Sequence, residues 1–69
     1  MQDWQKTVGG NIRRLRLAKE LTQEEVAFRS EIDLTYLGGI ERGKRNPSLL
    51  VMARIAESLG VRLADLVKS

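Results

Sequence analysis

The chain has 69 residues, 12 basic and 9 acidic, for a net charge of +3, so one domain is the upper limit. It contains no cysteine and no histidine, which excludes disulfides, thiolate or imidazole metal sites and histidine acid–base catalysis. The longest unbroken aliphatic run is Leu49–Ala53, far short of the roughly 20 residues of a membrane span. The opening Met1-Gln2-Asp3-Trp4 lacks a charged-then-apolar signal pattern. A soluble, cytoplasmic protein that is not an enzyme, with no cofactor, metal or small-molecule ligand, is the expectation.

Period-two alternation is absent, and helical signals are frequent. The spacing of Trp4, Val8, Ile12 and Leu15 predicts a first helix from about Asp3 to Lys19 with those four on its inner face. Gly9 and Gly10 weaken it by roughly 1 kcal/mol each relative to alanine, a cost consistent with a close helix contact. Thr22-Gln23-Glu24-Glu25 has the form of a capping box, with Thr22 as N-cap of a second helix ending near Ser30. Val26 and Ala27 face inward. Phe28 falls outside that face and either covers the first helix or is partly exposed.

Asp33 is the expected N-cap of a third helix, with Leu37 and Ile40 inward and Gly43 as its left-handed stop. Asn46 and Pro47 read as N-cap and first residue of a fourth helix. Leu49, Met52, Ile55, Ala56 and Leu59 would line its inner face, and Gly60 would end it. A short fifth helix carries Leu63, Leu66 and Val67. The expectation is a compact five-helix, all-α domain over residues 1–69. Only Ser30-Glu31-Ile32 separates the second and third helices, which is the helix-turn-helix spacing.

The ordered blocks Ile12-Arg13-Arg14-Leu15-Arg16, Leu21-Thr22-Gln23-Glu24-Glu25-Val26-Ala27, Tyr36-Leu37, Ile40-Glu41-Arg42-Gly43, Asn46-Pro47-Ser48, Ile55-Ala56 and Leu59-Gly60-Val61 resemble the Cro and phage-repressor (XRE-like) helix-turn-helix family. The resemblance runs from about Val8 to Val67. The run Asp33-Leu34-Thr35-Tyr36 followed by Gly39-Ile40-Glu41-Arg42 further resembles controller proteins of restriction–modification systems. The resemblance implies a lambda-repressor-like fold with the helix-turn-helix proper at about 22–42. It implies a transcriptional regulator that binds double-stranded DNA with a recognition helix at about 34–42 in the major groove. An antitoxin-like interaction module on the same fold is the alternative.

By analogy with the family, Leu34, Thr35, Gly38 and Gly39 form the base-facing side of the recognition helix. Thr35 is suited to a base edge, and Leu34 to a thymine methyl or to partial burial. The glycines offer no side chain, so they suit close backbone approach and readout of DNA shape. Thr22 and Gln23 lie at a helix N-terminus that suits phosphate, and the resemblance implies that Gln23 also braces the recognition helix. Tyr36 is either a phosphate contact through its hydroxyl or a core tyrosine. Arg42, Lys44 and Arg45 read as a phosphate clamp or as a solvated basic loop.

The resemblance also implies a partly buried ion pair between Arg16 and Glu41. It implies glycine at the turn position, where this chain has Glu31. Finally, it implies a homodimer. The apolar candidates for its interface are Leu50, Val51, Leu63, Leu66 and Val67, with recognition helices about 34 Å apart on a pseudo-palindrome.

Overall fold

Short side chains at the helix starts set the boundaries. In the computed structural model, which describes residues 1–69, the Asp3 carboxylate accepts from the Lys6 amide at 3.1 Å and opens α1 (Trp4–Ala18). Thr22 opens α2 (Gln23–Ser30). Its hydroxyl accepts from the Glu25 amide at 3.0 Å, and the Glu25 carboxylate accepts from the Thr22 amide at 2.9 Å. That bond holds the Glu25 carboxyl below the usual carboxylate range. Asp33 precedes α3 (Leu34–Glu41) in extended conformation, but its side chain makes no capping bond.

The fourth start corrects the sequence expectation. Ser48, not Asn46, caps α4 (Leu49–Leu59), its hydroxyl accepting from the Val51 amide at 3.1 Å. Pro47 stays outside the helix and is buried, packed in a recess with Trp4, Val8 and Met52. Leu49 therefore sits in the first turn and is 66 % exposed rather than on the inner face. At α5 (Leu63–Leu66) the Asp65 carboxylate accepts from the Arg62 amide at 3.0 Å, which holds that carboxyl below its usual range.

The ends of α1 to α4 share one device. In each, a residue with left-handed backbone follows the helix, and two amides fold back onto the last free carbonyls. The bonds are Leu21 to Arg16, Ile32 to Ala27, Lys44 to Gly39 and Val61 to Ala56, at 2.9–3.1 Å. The left-handed residues are Glu20 and Glu31 (φ 58° each), Gly43 (φ 74°) and Gly60 (φ 70°). The turn at Glu31 is thus built as a glycine would build it, and Glu20 repeats the situation at the end of α1. A side chain there costs about 1–2 kcal/mol. Glu31→Gly is expected to raise stability by about 1 kcal/mol net of the freer unfolded chain, seen as a melting temperature higher by roughly 4–8 °C. A clear fall in melting temperature would show that the turn carries no strain.

The core gathers Val8 and Ile12 of α1, Val26 and Ala27 of α2, Leu37 and Ile40 of α3, Ile55, Ala56 and Leu59 of α4, and Leu66 of α5. Small residues bring α2 onto α4, where the Ser30 and Ser58 hydroxyls meet at 3.2 Å and Ser58 donates to the Ile55 carbonyl at 2.8 Å. The Asn11 amide donates to the carbonyls of Leu66 and Lys68 at 2.9 and 2.8 Å, which fastens the end of α5 to α1. Trp4, expected on the inner face of α1, is half exposed at the rim of the recess. No helix is long and apolar enough to cross a membrane.

Candidate nucleic-acid interface

Two contacts fix α3 on the rest of the molecule. The first is backbone against backbone. Gly9 of α1 lies so close to the end of α3 that a Cβ there would stand 2.1 Å from the Ile40 carbonyl oxygen and 2.9 Å from that of Glu41. The second is ionic. Arg16 Nε and Nη2 donate to the two carboxylate oxygens of Glu41 at 2.7 and 3.0 Å, a bidentate pair with both side chains buried. Two further hydrogen bonds extend the pair. Arg16 Nη1 donates to the Leu21 carbonyl at 2.9 Å, and Gln23 Nε2 donates to Glu41 at 3.0 Å. The hydrogen bond to Glu41 raises the Arg16 pKa above its ordinary value, against the opposing effect of burial.

This network joins α1, the start of α2 and the end of α3, so the angle between the two helices of the turn is held by polar groups as well as by Ala27 and Leu37. Buried side-chain nitrogen and oxygen atoms all have partners. Gln23 donates one amide hydrogen to Glu41, which is the bracing role expected of it, and keeps the other.

With Leu37, Ile40 and Glu41 turned inward, the opposite side of α3 carries Leu34, Thr35, Gly38 and Gly39. Leu34 is 42 % exposed and Thr35 is exposed. The two glycines are not open to solvent. Both are buried beneath arginine side chains from the segment that follows. A Cβ at Gly38 would stand 3.1 Å from Arg42 Nη1, and one at Gly39 would stand 2.8 Å from Arg45 Cγ. Direct approach of the α3 backbone to a ligand, the expectation for these glycines, would require both arginines to move.

Tyr36 is half-buried against the core, with the Arg45 guanidinium 5.9 Å from its ring centre. Arg42, Lys44 and Arg45 are exposed around the stop at Gly43. A fourth cation joins them that the sequence did not single out. The stem of Lys6 runs against Gly43, its Cγ 2.7 Å from where a Cβ would be. Lys6 is remote in sequence, and only the packing of α1 on α3 brings it there.

The apolar candidates for a dimer contact divide. Leu50 and Val67 are exposed, and Val51 and Leu63 are half-buried. Leu66 is fully buried in the core under α1 and is removed from that set. Leu49 takes its place among the exposed residues. Phe28 is 86 % exposed on α2 and covers nothing.

Residues 12–66 match the helix-turn-helix family model HTH_3. An uncharacterized HTH-type transcriptional regulator of Sinorhizobium fredii, y4dJ, is 48 % identical over 65 residues, 94 % of this chain and 84 % of the relative. The control protein C.BamHI of Bacillus amyloliquefaciens is 42 % identical over 60 residues, 86 % of this chain and 74 % of that protein. Among solved structures, the restriction–modification controller protein C.AhdI of Aeromonas hydrophila superposes with a TM-score of 0.87 at 42 % identity, covering 90 % of this chain and 94 % of that one. With its helix-turn-helix held by Gly9 and the Arg16–Glu41 pair, this chain belongs to the XRE-type helix-turn-helix family and has restriction–modification controller proteins among its relatives.

Proposed function

We propose that this protein is a transcriptional regulator that binds double-stranded DNA sequence-specifically, as a homodimer on a pseudo-palindromic operator. One observation carries the reading: α3 is fixed from behind by Gly9 and the Arg16–Glu41–Gln23 network, while its outer side is exposed at Leu34 and Thr35 and flanked by Lys6, Arg42, Lys44 and Arg45. A rigid helix with a cationic border suits the major groove, where phosphate contacts set position and base contacts set sequence. Thr35 meets a base edge and Leu34 a thymine methyl. Thr22, Gln23, the Tyr36 hydroxyl, Arg42 and Lys44 meet the DNA backbone. The names of the relatives support regulation rather than catalysis. The recess beside Trp4 holds about 180 Å³, below the roughly 300 Å³ at which small-molecule sites begin.

One module reads few base pairs, and exposed Leu49, Leu50 and Val67 with half-buried Val51 and Leu63 offer the apolar surface for a second copy. DNA as partner places the protein in the cytoplasm with the nucleoid. The test is selection of random duplexes by the purified protein near physiological salt. The expected product is a two-fold motif with half-sites about one helical turn apart, bound with steep salt dependence. Retention without a motif would refute sequence-specific regulation. No retention would transfer the reading to a protein-interaction module.

A further inference from the structure

The outer side of α3 has a gap in its chemistry. Gly38 and Gly39 have no side chain to offer a base, yet they occupy the middle of the surface that faces the groove in the reading above, on which this inference rests. Arg45 fills the gap from outside the helix. The left-handed turn at Gly43 (φ 74°) reverses the chain, and the Arg45 side chain folds back across α3. Its Cγ, Nε and Cδ lie 2.8, 3.4 and 3.7 Å from where a Cβ at Gly39 would stand. On its other side the guanidinium carbon is 5.9 Å from the Tyr36 ring centre. The stem therefore rests on a glycine floor, and the guanidinium faces an aromatic ring. The guanidinium joins none of the molecule's ion pairs, which use Arg16, Arg62 and Lys68.

We infer that Arg45 is a specificity-determining residue that reads a guanine in the major groove, rather than the phosphate contact its place in a basic loop suggests. Guanine presents two acceptors there, N7 and O6, and the planar guanidinium fork matches both at once. A cation that only neutralises phosphate gains little from a fixed direction. Arg45 has one, set by packing on the side of α3 that carries Thr35, four residues before Gly39. Gly39 is then a positioning residue, because any side chain there must displace the Arg45 stem.

The experiment repeats the duplex selection with wild type, Arg45→Ala, Arg45→Lys and Gly39→Ala, then measures affinity for the wild-type motif across a salt series. Gly39→Ala keeps every charge and substitutes a better helix former, so it moves the fork without weakening the helix; circular dichroism checks its folding. The wild-type motif is expected to contain a fixed guanine in each half-site. Arg45→Ala and Gly39→Ala are expected to lose discrimination at that position by about 5- to 150-fold and to keep it elsewhere. Arg45→Lys is expected to lose it too, since an ammonium has no fork. Should Gly39→Ala not fold, the two Arg45 variants decide. An unchanged motif with uniformly weaker binding and a salt slope shallower by about 0.9 per phosphate contact would overturn the assignment and return Arg45 to the backbone. A wild-type protein that selects no motif would refute the DNA-reading function itself, and this assignment with it.

Discussion

Gly9→Ala is expected to remove a large share of the protein's stability, while Gly10→Ala, one residue along the same helix, adds to it. The two glycines are equivalent by propensity, each costing about 1 kcal/mol relative to alanine in a helix interior. Packing separates them. A Cβ at Gly9 would lie 2.1 Å from the Ile40 carbonyl oxygen, 2.9 Å from that of Glu41 and 3.1 Å from the Glu41 carbonyl carbon, all backbone atoms that no rotamer change can clear. At Gly10 nothing lies within 4 Å. To accept the methyl at position 9, α1 and α3 must part, which also stretches the Arg16–Glu41 bonds. Overpacking of this kind costs about 1–3 kcal/mol and at times more, in a domain whose single core supplies roughly 3–5 kcal/mol. Paired urea melts of the two variants check this; a neutral Gly9→Ala would mean that the helices slide apart freely.

Arg16→Met is expected to cost about 3–5 kcal/mol, because it leaves the Glu41 carboxylate buried with only Gln23 as a side-chain donor. The Leu21 carbonyl would lose its side-chain donor as well. The double variant Arg16→Met with Glu41→Leu is expected to recover most of the loss, since an apolar pair of similar volume needs no solvation. Recovery separates a penalty for stranded charge from a general intolerance of substitution. Thermal melts of the three proteins measure it. An Arg16→Met protein that melts like the wild type would show that the pair contributes nothing.

Features carried by neighbouring residues were legible in the sequence. Thr22 with Glu25 announces a capping box within four residues, and Gly43 and Gly60 announce left-handed stops by having no Cβ. The start of α4 was misread because Asn46-Pro47 and Ser48 are competing cap signals side by side. Burial of Pro47 between α1 and α4 decides for Ser48, and that is a tertiary fact. Leu49 and Leu66 exchange places for a similar reason: apolar spacing says which residues share a face, not whether another helix covers it. The Arg16–Glu41 pair entered through family resemblance, and nothing local in either segment announces it. The arrangement of Lys6 and Arg45 around α3 was not legible at all, because both side chains arrive from elsewhere and are located by close backbone packing and a reversed loop.

Glu20 and Glu31 stop α1 and α2 in a conformation that α3 and α4 give to glycine. Net of the freer unfolded chain that glycine brings, together they withhold about 2 kcal/mol, close to a thirty-fold change in the ratio of folded to unfolded chains. That is headroom the protein leaves unused, two single-residue steps away and outside the recognition helix. On the reading proposed above, a lineage that alters Leu34, Thr35 or Arg45 to bind a different operator will often weaken the fold in doing so. Exchange at either glutamate can absorb that loss, so retargeting of the DNA-reading surface and glycine at positions 20 and 31 are expected to arise together in descendants of this chain.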